Sequence, residues 1–252
     1  EKHCGYPCYA LIPMMSGMNQ KQLAQYVLDK PSSALSEAVR TLRTVLNLRA
    51  KRGGKKPRVI TITSSFPGEG KTTMSCWLGR LAAKSGDKVI LIDCDLRRPN
   101  VHKTLGHDNN ITLIEYLSGK NSLKETIHTD DPSGLHVIYS KSVPNSALDL
   151  VSSEKMETLI GALKKEYDLV IIDSPACLAV SDARILATYS DQTLYAVAWN
   201  RTPREVVIGG VKQFSDMGYN DMAFMLTNVD VKRHVRYGYG DTVYYYGNYH
   251  EE

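Results

Sequence analysis

Apolar and polar positions along the chain follow two alternating rhythms. Six short runs are continuously apolar or β-branched: Val59 to Thr63, Val89 to Ile92, His136 to Tyr139, Leu169 to Ile172, Thr193 to Ala198 and Ala223 to Leu226. Such runs predict parallel strands covered on both faces. Segments with three-to-four spacing lie around them. "SALSEAVRTLRTVLNL" puts Leu35, Val39, Leu42 and Leu46 on one stripe, and "SEKMETLIGALKKEY" does the same with Met156, Leu159, Ile160 and Leu163, Ser153 being its predicted cap. In "TPREVVIGGVKQFSDMG" a helix is predicted with Thr202 as cap, Pro203 at its first position, Glu205 completing a capping box and Gly218 at its end. Alternation of this kind implies an α/β fold: a mainly parallel sheet with helices on both faces. The first nineteen residues carry neither rhythm, and no element is predicted there.

Composition narrows the class. With 252 residues, 42% apolar and 23% charged, the chain suits one sizeable α/β domain or two small ones. A net charge of +4 is too mild for an obligate nucleic-acid binder. It is unevenly spread, since "RAKRGGKKPR" (49–58) holds six basic residues in what reads as an exposed loop, either a solvated linker or a contact for an anionic surface. Cys4, Cys8, Cys76, Cys94 and Cys177 lack the spacing of a zinc site and read as reduced thiols. No apolar run reaches the ~18 residues of a membrane span. The chain begins at Glu1 rather than Met, as expected of a fragment whose membrane anchor lies upstream.

The chemistry concentrates at strand ends. "SSFPGEGKTT" follows the first predicted strand and opens an apolar helix, the order that a phosphate-binding loop requires. Gly68 and Gly70 let backbone amides turn inward, Lys71 brings a charge to the outer phosphates, and Thr72 offers a hydroxyl to Mg²⁺. The P-loop pattern wants glycine at position 65, where this chain has Ser65. "VILIDCDLRRP" ends a strand with Asp93 and Asp95, and "YDLVIIDSPA" ends another with Asp173. Three carboxylates thus converge on the edge that carries Lys71. Asp93 and Asp173 suit Mg²⁺, directly or through water, and either Asp93 or Asp95 could accept a proton from an attacking hydroxyl. Any one of them alone would read as readily as a cap on the turn that follows its strand; three at one edge do not.

In combination, "FPGEGKTT", "VILIDCDLRRP", "VIIDSPACLAVSDA" and a tyrosine-rich end resemble the Walker A, A′ and B segments and tail of the bacterial tyrosine kinases (BY-kinases), over roughly residues 31–252. The resemblance implies a P-loop NTPase fold and an ATP- and Mg²⁺-dependent protein-tyrosine autokinase. It assigns Gly68, Glu69, Gly70, Lys71, Thr72 and Thr73 to nucleotide, Thr72, Asp93 and Asp173 to Mg²⁺, and Lys71, Asp93, Asp95 and Asp173 to catalysis. Glu37, Arg40 and Arg43 in "EAVRTLR" match an ExxRxxR helix used for contacts in a ring-like homo-oligomer; as residues alone they read as a solvent-facing pair. In "FMLTNVD", Asn228 falls where related ATPases place an Asn near adenine, although a strand-end Asn also makes a turn unaided. The resemblance further implies a cytoplasmic domain at the inner membrane, an upstream transmembrane or activator segment, a cognate phosphatase, and control of exopolysaccharide or capsule polymerisation and export. Ala176, where the family usually has a second proline, and Ser65 depart from the pattern.

The division that follows is an N-terminal arm with an oligomerisation helix (1–50), a kinase core (51–232) and a disordered tail (233–252). Tyr237, Tyr239, Tyr244, Tyr245, Tyr246 and Tyr249 lie among glycine and polar residues in that tail, as exposed phosphoacceptors would. Six phosphates at about −1.5 to −2 each would carry the formal +4 to roughly −5 to −8, enough to loosen a ring. The rival reading is a ParA- or MinD-like ATPase acting as a nucleotide-gated assembly switch. Those proteins carry a lysine five residues before the P-loop lysine, where this chain has Phe66, and they lack a tyrosine-rich tail.

Overall fold

The structure is a computed structural model that describes residues 5–51 and 56–236. The six tail tyrosines, Cys4 and residues 52–55 of the basic loop lie outside the described residues. Eight strands are present: β1 (Cys8–Pro13), β2 (Val59–Ser64), β3 (Val89–Asp93), β4 (His128–Asp130), β5 (Leu135–Ile138), β6 (Leu169–Asp173), β7 (Gln192–Ala198) and β8 (Met222–Val229). The helices are α1 (Gln20–Asp29), α2 (Ala34–Lys51), α3 (Lys71–Lys84), α4 (Val101–Leu105), α5 (Leu113–Leu117), α6 (Leu123–Thr126), α7 (Ala147–Val151), α8 (Glu154–Glu166), α9 (Asp182–Thr188), α10 (Arg204–Ser215) and α11 (Val231–Arg236).

The strands form one sheet in the order β1-β8-β7-β2-β6-β3-β5-β4, parallel throughout except for the β4–β5 pair. Every position of β2, β3, β6 and β7 is buried, which explains their unbroken apolar runs. One face packs Ile60, Ile62, Leu91 and Leu194 against the stripes of α1, α2 and α3; the other packs Val59, Ile90, Ile92 and Ile172 against α8 and α9. Tyr195, Val197 and Phe224 meet Val207, Val211 and Phe214 of α10 on that second face.

The strand β4 and the short helices α4–α7, α9 and α11 had no prediction, and three further elements depart from the sequence reading near the site. Residues 8–13, where no element was predicted, are an edge strand pairing with β8 through two register shifts. Segment 20–29 is a helix closed by a capping box between Asn19 and Gln22, and it buries only Ala24 and Val27. A stripe so thin gives little periodic signal. The helix predicted at Thr202 starts instead at Arg204 behind Pro203, with no side-chain cap. The Thr202 hydroxyl is engaged elsewhere, with Glu69. Ser153, in contrast, does cap α8, accepting from Met156 N.

The described part of the N-terminal arm, residues 5–50, joins the same sheet and core as the rest through β1, α1 and α2. Residues 231–236 continue as α11. No helix among the described residues is long and apolar enough to cross a membrane.

Candidate active site

β2 ends at Ser64, and the chain turns through Gly68 (φ +80°) and Gly70 (φ +88°) into α3. Both angles lie in the left-handed region that favours glycine. Gly70 is the N-cap and offers no side-chain hydrogen bond. The first amides of α3 therefore face outward without acceptors, an anion-binding arrangement. Lys71, at the head of this helix, is 7% exposed.

Neighbouring segments hold the loop in shape. Glu69 is buried, and its side chain does not face the ligand position: it accepts from Phe66 N (2.6 Å), Ala198 N (3.3 Å) and the Thr202 hydroxyl. Only its backbone amide remains for nucleotide. Thr227 Oγ1 donates to Glu69 O (2.8 Å), which ties β8 to the same loop. Ser65 lies 2.9 Å from the Tyr195 hydroxyl, itself 3.2 Å from Cys177 Sγ. Tyr195 fits because residue 210 is glycine: a methyl there would lie 2.0 Å from the phenolic oxygen. The missing second proline at Ala176 leaves its loop intact, since Cys177 N donates to Ser64 O (2.8 Å) and Thr63 Oγ1 to Pro175 O (2.9 Å).

Asp93 and Asp173 are register partners at the carboxyl ends of β3 and β6, and neither has any solvent exposure. Asp173 accepts from Thr72 Oγ1 (2.7 Å) and Ser75 Oγ (3.0 Å). Burial pushes its carboxyl up to about 6, against the opposing pull of Lys71 and the Thr72 hydrogen bond. Asp93 accepts from Asp95 N (3.3 Å), Asn100 N (3.1 Å) and Val101 N (3.1 Å). Burial and the Asp173 charge raise it well above the usual carboxylate range despite the Val101 bond. Asp95 is half-buried and accepts from Arg98 N (2.9 Å). Both A′ carboxylates thus cap their turn while standing at the site.

These donors fit Mg²⁺. Hard oxygen ligands from Thr72 and a buried carboxylate pair suit an ion that completes its shell with phosphates and water. Among the described residues no three His, Cys, Asp or Glu side chains gather as a self-sufficient metal site. The ion would therefore be shared with nucleotide.

Beside Gly70 and Thr73 opens a cleft of about 50 Å³, walled by Pro13, Met15, Leu23 and Trp77 and ending at Asn228. Asn228 is exposed with φ +54°, at the end of β8. Elements without a sequence signal, β1 and α1, form this wall. Ser75, Thr202 and Thr227 were also missed as site residues. Ser75 alone had a cue, standing four residues after Lys71 on one helix face.

The helix Ala34–Lys51 carries Glu37, Arg40 and Arg43. Arg40 pairs with Glu37 on the helix surface, their side chains 38% and 36% exposed, while Arg43 is taken by Asp87 at 2.7 and 3.0 Å.

Comparison with known proteins fits this geometry. Residues 57–216 match the family described as AAA domain. Tyrosine-protein kinase YwqD of Bacillus subtilis is 31% identical over 215 residues, which span 85% of this chain and 90% of that protein. Tyrosine-protein kinase Etk of Escherichia coli is 30% identical over 257 residues, 95% of this chain, but the chain spans only 35% of Etk and 34% of two Ralstonia relatives. The solved kinase domain of the Escherichia coli tyrosine kinase Etk superposes with a TM-score of 0.82 at 30% identity, over 90% of this chain and 92% of that one. The Pyrococcus horikoshii septum site-determining protein MinD, solved with Mg-ADP, shares the fold (TM-score 0.56, 24% identity, 68% of this chain and 69% of that one). Strand-end carboxylates, phosphate loop and relatedness converge, and the chain belongs to the bacterial tyrosine kinases.

Proposed function

We propose that this chain is an ATP-dependent protein-tyrosine kinase that phosphorylates its own C-terminal tyrosines, Tyr237, Tyr239, Tyr244, Tyr245, Tyr246 and Tyr249, on a neighbouring copy. The observation that carries the reading is the register pairing of Asp93 with Asp173, both wholly buried, beside Lys71 and Thr72. A buried carboxylate pair next to an anion-binding loop is stable when a cation sits between carboxylate and phosphate.

The chain's residues divide the work. The amides from Gly68 to Thr73 and the Lys71 ammonium bind and orient the phosphates. Thr72, Asp173 and Asp93 would hold Mg²⁺, directly or through water, and the ion would neutralise charge on the outer phosphates. Asn228 and the cleft floored by Trp77 receive the base. Asp95 takes the phenolic proton: Asp93 gives its oxygens to three backbone amides and has no exposure, whereas Asp95 is half-buried with one such bond. Phe66, 43% exposed, offers an apolar face at the rim of the loop for an incoming ring.

Assembly into a ring would use Glu37 and Arg40, which are reachable, and would have to exchange the Arg43–Asp87 pair. Phosphate on the tail then loosens the ring by repulsion. Through an upstream membrane-bound segment and a cognate phosphatase, that cycle would regulate exopolysaccharide or capsule polymerisation and export at the cytoplasmic face of the inner membrane.

Incubation with ATP and Mg²⁺, followed by mass spectrometry of wild type and Lys71→Met, tests the core of the reading. Tail phosphotyrosine that disappears in the variant is expected. Phosphate release without modified tyrosine would point to the assembly-switch ATPase instead.

A further inference from the structure

The loop between β7 and α10 carries a cation that the site as described does not use. Arg201 is exposed, and its guanidinium makes no hydrogen bond or ion pair among the described residues. Its guanidinium nevertheless lies against the phosphate loop: a methyl group placed on Gly68 would be 3.1 Å from Arg201 Nη2.

The placement is enforced from both sides. Before Arg201, Ala198 N donates to Glu69 Oε1 (3.3 Å) and Trp199 N to Thr227 O (2.9 Å). After it, the Thr202 hydroxyl donates to the same Glu69 oxygen. Between these anchors Asn200 takes φ +53°, a left-handed turn uncommon outside glycine. Arg201 N then closes onto Ala198 O (3.2 Å). Five residues, Ala198 to Thr202, are thereby fixed to the phosphate loop, with a strained residue directing the arginine at Gly68. A guanidinium set against this loop, with Lys71 and the outward amides at the head of α3 following it, is repelled unless an anion lies between them.

We propose that Arg201 is a catalytic residue of phosphoryl transfer, touching the terminal phosphate of bound ATP and stabilising the charge on the transferring group. The proposal rests on the kinase reading above. In the step, the bond from the terminal phosphorus to the bridging oxygen breaks and its electron pair stays on the departing ADP. The phenolic oxygen forms the new bond to phosphorus, and its proton goes to Asp95. Charge spreads over the three equatorial oxygens, and a planar guanidinium supplied from the same chain can pair two of them.

The test compares Arg201→Ala, Arg201→Gln and Arg201→Lys with wild type, in three measurements: calorimetric affinity for ADP and for a non-hydrolysable ATP analogue with Mg²⁺, tyrosine phosphorylation at saturating ATP, and melting temperature. Turnover is expected to fall about 10²–10³-fold in the Ala and Gln variants, with ADP affinity within about threefold and the triphosphate analogue weakened about tenfold. Lys should recover part of the affinity and little of the turnover, because it is a point charge without the fork. Melting temperatures should not move, since the side chain is exposed. Turnover and the triphosphate-to-diphosphate affinity ratio both unchanged would overturn the proposal, as would equal weakening of both nucleotides. Wild-type protein that binds ATP but modifies no tyrosine would instead refute the kinase reading, and the affinity ratio would still decide Arg201.

Discussion

Asp130 and Asp173 are both carboxylates without solvent exposure, set at strand ends of one sheet, and they are treated in opposite ways. Asp130 receives Arg80 through Nε (2.9 Å) and Nη2 (2.6 Å), the Ser133 hydroxyl (2.5 Å) and His107 Nε2 (3.2 Å). Burial pushes its carboxyl up, but Arg80 and the Ser133 bond outweigh it and hold the group below the usual range. Asp173 accepts from two hydroxyls and has no ion pair among the described residues, and burial pushes it up to about 6 although Lys71 and the Thr72 bond pull the other way. A closed ion pair fastens β4 to the phosphate-loop helix. A carboxylate left short of positive charge, beside a row of outward amides, marks where charge arrives from outside the chain.

Substitutions at the two sites should separate these roles. The largest effect expected is on turnover: Asp173→Asn should slow tyrosine phosphorylation ~10³-fold, about 4 kcal/mol of transition-state stabilisation, and leave folding without nucleotide intact. A steady-state assay beside a thermal melt checks both halves, and an unfolded variant would break the contrast. Arg80→Ala should do the reverse, costing about 3–5 kcal/mol of stability in urea titration because Asp130 is left charged and buried. Restoring bulk without charge, in Arg80→Met with Asp130→Leu, should recover most of that loss.

A smaller effect lies in the pH dependence. The Asp173 carboxyl rises from 3.8 to about 6 on folding, so the folded protein holds that proton more tightly. Its contribution to stability is therefore present below pH 3.8 and lost as pH rises through about 6, a change of roughly 2–3 kcal/mol. Asp173→Asn has no such loss. In EDTA, its melting temperature should draw ahead of wild type as pH rises from about 4 to about 6 and hold that lead above it, and Mg²⁺ with ADP should close the gap. Burial lowers His102, His136 and His234, which favours stability at rising pH in both proteins and cancels in the difference. A gap that stays constant with pH would remove the asymmetry between the two aspartates.

What could be read in advance follows the range of the forces involved. β2, β3, β6, β7 and β8 are continuous apolar runs because helices cover both faces, and the phosphate loop is a local pattern of glycines and a lysine. β1 escapes because an edge strand holding Pro13 and two register shifts has no periodicity of its own and is defined by β8. Its contribution to the cleft beside Gly70 was invisible for the same reason. Thr202 shows how a sound local rule misleads. Its position before Pro203 matches a helix cap, but Glu69, 133 residues away, takes the hydroxyl. The register of Asp93 with Asp173 likewise follows from the crossover that seats β6 beside β3, which no local pattern encodes.

Glu69 extends the comparison to a third buried carboxylate, held by two peptide N–H groups and one hydroxyl. Thr202→Val removes the hydroxyl with little change of shape and leaves both peptide donors in place. The stability loss should therefore be modest, about 1 kcal/mol, the value of one hydrogen bond net of water. Because the same bond pins the loop bearing Arg201, ATP affinity should also weaken by about threefold. Urea titration and calorimetry on Thr202→Val and Thr202→Ser measure the two quantities separately, the serine variant keeping the hydroxyl. Stability lost with nucleotide affinity intact would place Glu69 with Asp130, as a fastening of the fold. Affinity lost alongside stability, and kept in serine, would place it with Asp173 as part of the phosphate site.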